Sequence, residues 1–152
     1  MAEIFNSIFE LSLRALLVMK NAQRPLTEEE VVIADFIAVY GTDFGIADVN
    51  LHGDNSYKYC ELATRRKKMD DALKDLTLRG LIDLVLSEKT GMVYIINSVG
   101  YSLCERLEST YAKEYLLYSQ RALHYISSHG IKVIRSEILR NSQLNIGRDE
   151  NA

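Results

Sequence analysis

Between Leu81 and Ile96 the sequence holds two short runs rich in leucine and β-branched residues. Leu81-Ile82-Asp83-Leu84-Val85-Leu86 and Met92-Val93-Tyr94-Ile95-Ile96 are joined by Ser87–Gly91. Two such runs around a turn read as a β-hairpin. Helical periodicity stands on both sides of it. Residues 59–79 place Leu62, Met69, Leu73, Leu76 and Leu78 around one side, and Gly80 suits the position just past a helix end. Asn97 or Ser98 then opens a further helix with Leu103 and Leu107 inward. Helix, Arg79-Gly80-Leu81-Ile82, hairpin, helix is the order of a winged-helix domain, in which the helix before the wing is the one that reads DNA when DNA is read.

The chain before this unit supplies two more helices. Phe9, Leu13, Leu16 and Leu17 form a stripe over residues 8–22, with Asn6 or Ser7 as cap. Pro25 breaks that pattern, and Thr27 with Glu30 forms a capping box for the next helix. Its body, Val31–Tyr40, is apolar nearly all round apart from Asp35, which predicts a buried helix. Gly41–Ser56 lacks periodicity, and a stretch of that length in a small domain is usually functional or poorly ordered. One proline and eight glycines in 152 residues, with 47% hydrophobic and 26% charged, exclude a disordered or low-complexity chain and favour helices.

Beyond residue 109 the sequence reads as an appendage. Thr110–Ser128 is a long helix carrying Tyr111, Tyr115, Tyr118, Ala122 and Tyr125 at spacings of four, three, four and three. Gly130 ends it, and Ile131, Ile134, Ile138 and Leu139 make a short amphipathic helix before a polar tail. The expected fold is mostly α with a small β-hairpin. It divides into a winged-helix-like domain over 1–109, C-terminal docking helices over 110–140 and a flexible tail over 141–152.

No constellation in the sequence carries catalysis. His52, His124 and His129 share no metal-ligand spacing, and Cys60 and Cys104 form no C-x-x-C pair. The phosphate-binding glycine loops, the zinc-protease motif and the nucleophile elbow are missing. Glu28-Glu29-Glu30 is explained by a capped helix start rather than by catalytic carboxylates. The reading is therefore of a non-enzyme, with no catalytic residue, cofactor or metal. Both cysteines fall in apolar helical patterns, as expected of reduced, buried thiols in a cytoplasmic protein. No signal peptide is visible in Met1–Phe5, and no run is long and apolar enough to span a membrane.

Two surface candidates remain. A net charge of −3 argues against a generally basic nucleic-acid binder, so a DNA contact has to be local. Arg65, Arg66, Lys67 and Lys68 form the one concentrated basic run, within a segment from Tyr57 to Lys74 holding six basic and three acidic residues. It suits phosphate contact, docking on an acidic protein, or a solvated helix face. The tyrosine stripe, Tyr111, Tyr115, Tyr118 and Tyr125, extends an apolar face already supplied by Leu116, Leu117, Leu123 and Ile126. A stripe at helical spacing is most often core, yet a helix apolar on two sides also packs between two bodies.

The residues in order also resemble a family. Phe5-Asn6-Ser7, Leu13-Arg14-Ala15-Leu16-Leu17, Pro25-Leu26 before Ala34-Asp35-Phe36, Gly41–Asp43, Asn50-Leu51-His52, Glu61-Leu62 before Arg65-Arg66, Leu76 with Arg79-Gly80-Leu81-Ile82, and Leu107-Glu108-Ser109 with Tyr111 carry the likeness. The chain resembles the middle components of ABC-three-component conflict systems, and in particular the LmuC subunits of Lamassu-type antiphage defence. Gly53-Asp54-Asn55 departs from the pattern, where prolines are expected. The resemblance implies a subunit that bridges an SMC- or Rad50-like ABC ATPase and an effector nuclease and restrains the effector until activation. DNA would be met mainly through the complex, with no membrane and no small-molecule substrate. The contrasting reading is a free-standing winged-helix transcription regulator dimerising through Thr110–Ser128, and a third is an enzyme with a dispersed site.

Overall fold

The computed structural model describes residues 7–53 and 57–150, with side chains described through residue 142. Ser7 caps α1 (Ile8–Ala22) by accepting the Glu10 amide, and Thr27 with Glu30 closes the expected capping box on α2 (Glu28–Val39). Pro25 separates them, so the chain turns there and α2 starts afresh. After α2 come a short 3₁₀ turn (Gly41–Phe44), α3 (Leu62–Leu78), β1 (Ile82–Ser87) and β2 (Gly91–Ile96). The last elements are α4 (Ser98–Glu105), α5 (Thr110–His129) and α6 (Ile131–Glu150). Among the described residues the fold is thus mostly helical, with one antiparallel hairpin.

Every residue from Val31 to Val39 is buried, as the uniformly apolar run predicts. This helix is the axis of the core, with α1, α3 and α5 packed around it. The hairpin pairs Ile82 with Ile96, Leu84 with Tyr94 and Leu86 with Met92. Leu26 adds a single antiparallel bridge to the far side of β2, exchanging two 2.8 Å hydrogen bonds with Tyr94. That three-segment arrangement between α1 and α4 is compatible with a winged helix. Gly80 turns the chain from α3 into β1 with φ of +74°, a conformation that disfavours side chains with a Cβ. Gly100 has a different role: a Cβ there would lie 2.2 Å from the Leu81 carbonyl oxygen. Only glycine lets α4 approach the start of β1 so closely.

Of the two alternatives read for the segment after α2, functional or poorly ordered, the second does not hold through Gly53: the Leu51 amide donates to Val39 O, and Arg121 reaches Ile46 O at 2.9 Å. Two features differ from the sequence reading. The last helix continues to Glu150, through the region read as a polar tail. Cys60 is exposed, not buried, whereas Cys104 is buried as expected. Both thiols are free. Asp54 and Asn55 of the divergent loop lie outside the described residues.

Candidate functional site

The most unusual site in the molecule is an ionised cluster in the core. Asp35 on α2 is fully buried, and its Oδ1 accepts hydrogen bonds from Arg14 Nε at 2.7 Å and from the Tyr115 hydroxyl at 2.7 Å. Its Oδ2 accepts from Arg14 Nη2 at 3.0 Å and from Arg65 Nη1 at 3.1 Å. Arg14 comes from α1, Arg65 from α3 and Tyr115 from α5, so one carboxylate ties four helices together. Arg14 and Arg65 are 1% and 3% exposed. Two guanidiniums against one carboxylate leave the cluster one positive charge in excess. Part of that excess is met by aromatic faces, since the Arg65 guanidinium lies 5.6 Å from the Phe36 ring centre and 5.5 Å from that of Tyr40. Arg65 Nε and Nη2 make no hydrogen bond among the described residues.

The electrostatics follow from this geometry. Burial alone would raise the Asp35 pKa, but Arg14 and Arg65, aided by the Arg14 and Tyr115 hydrogen bonds, pull it down to about 2. Burial works against the Arg14 charge, yet Asp35 holds it firmly protonated. The Tyr115 phenol is driven far above its ordinary value by burial and by Asp35. His52 sits at the edge of the cluster, its Nε2 2.6 Å from the Tyr111 hydroxyl and its ring stacked on that tyrosine. Burial, followed by the nearby Arg14 charge, lowers His52 to about 3, so the ring is neutral at ordinary pH. Asp35 has its acceptor positions filled and no solvent path, so the cluster braces helices and has no proton to exchange with a ligand.

This placement corrects two sequence expectations. Arg65, read as a surface contact, points into the core because Asp35 lies there, one helix away. Tyr115, read as part of a docking stripe, is fully buried for the same reason. The rest of the basic run reaches the surface. Lys67 is exposed, Arg66 and Lys68 are half-buried, and Arg66 lies 3.7 Å from Glu29, which also takes both prongs of Arg135. The tyrosine stripe is divided. Tyr111 faces His52, and Tyr125 donates to Glu137 Oε2 while stacking on His129 and meeting the edge of Phe44. Tyr118 is half-buried beside Arg121. Much of the face read as free for a partner is therefore covered by the chain's own loop and by α6.

A second polar cluster pins the loop. Asp43 accepts from Lys58 Nζ at 2.9 Å and from the Tyr59 hydroxyl at 2.5 Å, and Asn141 on α6 donates to the same hydroxyl at 3.3 Å. Among the described residues no group of three or more His, Cys, Asp or Glu could hold a metal ion, and no helix is long and apolar enough to cross a membrane. Exposed apolar side chains stand elsewhere. Leu84, Val85, Leu86 and Met92 lie on the hairpin, and Phe9, Leu78 and Val99 lie near the opposite ends of α1, α3 and α4.

With this arrangement in view, comparison with protein families is decisive. The family model described as ABC-three component (ABC-3C) system Middle Component 2 matches residues 4–147. The chain belongs to that family. Comparison with curated proteins and with solved structures gives no match. The matched span takes in all of α1 to α5 and most of α6, so in this Middle Component 2 protein the helices braced by Asp35 and the C-terminal pair form one family unit.

Sequence reasoning missed the Asp35 cluster, although its signals were present. Asp35 interrupts an otherwise apolar helix, and Arg14 falls among the inward residues of α1. Opposite charges at two positions that periodicity assigns to the core have to be paired. The residues that complete the cluster, Arg65 and Tyr115, could not be told from surface residues by spacing alone.

Proposed function

We propose that this protein is a non-enzymatic bridging and regulatory subunit of an antiphage or antiplasmid defence complex, of the kind represented by LmuC in Lamassu systems. It links an SMC- or Rad50-like ABC ATPase to an effector nuclease and restrains the effector until the ATPase responds to DNA. Cytoplasmic operation fits that role. The observation that carries the reading is membership of a middle-component family by a chain that exposes apolar side chains on separate elements. Leu86 of the hairpin is 79% exposed and Leu78 at the end of α3 is 88% exposed. A single exposed apolar side chain is ordinary, but the contiguous group on the hairpin, Leu84, Leu86 and Met92, suits a surface that is covered against a partner. The winged-helix-like order supports the same role, because the wing presents Leu84, Leu86 and Met92, with Lys89 its one basic residue beside Glu88.

Lys67 and Lys68 remain available for an acidic partner or for phosphates, whereas Arg66 already lies beside Glu29, and Leu117 with Tyr118 remains available on α5. The experiment is binary co-purification of the tagged chain with each neighbouring subunit expressed singly. Stable complexes with both support the bridge, and binding to neither overturns it. A free-standing regulator would instead bind duplex DNA alone, with affinity falling steeply as salt rises.

A further inference from the structure

The hairpin has one capped edge and one open edge. On the outer side of β2, Leu26 and Tyr94 exchange two backbone hydrogen bonds of 2.8 Å. Those bonds turn the Tyr94 amide and carbonyl away from β1, so Tyr94 and its partner Leu84 are a pair without hydrogen bonds between them. The unbroken register then makes Ile82, Leu84 and Leu86 the residues of β1 whose backbone groups face outward. Among the described residues no strand pairs with that side. Sheet edges are ordinarily guarded by proline, a bulge or charge along the strand. β1 has no proline and no bulge, and its one charge is Asp83 near the start. Leu84, Val85 and Leu86 are 45%, 46% and 79% exposed.

We propose that the open edge of β1 pairs with β1 of a second copy of this chain, antiparallel about a twofold axis at Val85, making a four-stranded sheet. Outward backbone groups have to meet outward groups, and Leu84 opposite Leu86 of the copy does this on both sides of the axis. One face then carries a row of Met92, Leu86 and the copy's Leu84 and Tyr94. The other carries Val93 and Val85 followed by the same two valines of the copy. The strand is thus its own apolar complement. Charge agrees with this register, because Asp83 stands diagonally across from Lys89 of the copy, within reach of a long side chain. Moving the axis to Leu84 would set Asp83 diagonally against the copy's Asp83. Moving it to Leu86 would set Leu84 against Glu88 and run the pairing into the turn. This contact occupies the hairpin alone and leaves the exposed apolar residues of α1, α3 and α5 for other subunits, so it is independent of the bridging reading.

The test follows the full chain, purified alone, by sedimentation velocity over about 1–100 μM. A dimer is expected, and a monomer throughout overturns the proposal while leaving the bridging reading intact. Val85→Lys brings two ammonium groups together on the axis and is expected to leave a monomer. A dimer unchanged by that substitution lies elsewhere on the molecule and overturns the proposal. Asp83→Lys is expected to raise the dissociation constant about tenfold, and adding Lys89→Asp restores it. Residues 83 and 89 are not neighbours within one hairpin, so this rescue separates lost pairing from lost folding; weakening without rescue counts against the register. Disulfide trapping reads the axis directly, with the exposed Cys60 first replaced by Ser. Opposed residues without mutual hydrogen bonds hold their Cα atoms about 4.5 Å apart, within disulfide range. Val85→Cys is therefore expected to crosslink to its copy on oxidation, whereas Asp83→Cys, four residues out of step with its copy, is not. Equal crosslinking at the two positions overturns the proposal.

Discussion

The Tyr115 hydroxyl donates a 2.7 Å hydrogen bond to the Asp35 carboxylate across 80 residues of sequence, joining the C-terminal helix pair to the core of the N-terminal body. Asn21 strengthens the same junction, its amide donating at 2.7 Å to Leu116 O and to Ser119 Oγ. The long tyrosine-bearing helix is therefore part of the core that it was expected to append to. Tyr115→Phe keeps the ring and removes the bond to a charged acceptor. It is expected to cost about 1.5–3 kcal/mol in urea unfolding. Asp35→Asn leaves two buried guanidiniums facing a neutral group and is expected to cost more, about 3–5 kcal/mol. Equal, small effects for both variants would contradict a charged brace.

Acid sensitivity follows from the same residues. Asp35 is held at about 2, below the 3.8 of an unperturbed group, so its contribution is complete above pH 4 and is lost as pH falls from there towards 2. His52 acts in the same direction. Its unfolded form takes a proton near pH 6.5 while the folded form resists until about 3, so stability declines as pH falls through that window. Thermal unfolding between pH 7 and 3 should show a falling midpoint that is shallower in the His52→Gln variant. A midpoint flat across that range in the wild type would show that neither group is linked to folding.

Glu28 gives the opposite slope near neutrality. Burial first, and then its hydrogen bond and charge interaction with Asp70, raise Glu28 to about 7 from an ordinary 4.5. A raised carboxyl favours folding while protonated, so this contribution is present below pH 4.5 and is lost as pH rises to 7. Glu28→Gln is expected to raise the unfolding midpoint at pH 8 more than at pH 5. The same variant having equal effects at both pH values would remove the link.

Gly100→Ala tests the contact between α4 and the hairpin. In an open helix this change stabilises by up to about 1 kcal/mol. Here the added Cβ meets the Leu81 carbonyl oxygen at 2.2 Å and Ile96 Cγ1 at 2.9 Å, and the former is backbone that cannot turn aside. A loss of about 1–3 kcal/mol in denaturant unfolding is expected. A gain would mean that α4 does not approach β1 this closely.

Local signals were legible in the sequence wherever the chain's neighbours along the sequence decide the structure. Ser7, Thr27 with Glu30, Pro25 and Gly80 fix the ends of α1, α2 and α3, and the two runs rich in leucine and β-branched residues around Ser87–Gly91 fix the hairpin. What was not legible depends on contacts between distant segments. Arg65 looks like its neighbours Arg66 and Lys67 along the helix, and only Asp35, 30 residues earlier, turns it inward. Tyr115 is separated from Tyr111 and Tyr118 by the same long-range partner. His52 lies in a stretch without periodicity, and its pairing with Tyr111 across 59 residues has no local signal. The family resemblance reached the coarse function that the residues themselves did not contain.

The bridging role is tested most directly by asking whether the other two subunits meet without this chain. The ATPase and the effector are co-expressed with and without it, and their association is read by size-exclusion chromatography with light scattering. A three-subunit peak with the chain present, and two separate peaks without it, is the predicted result. A complex of ATPase and effector that forms equally well in its absence would contradict the account.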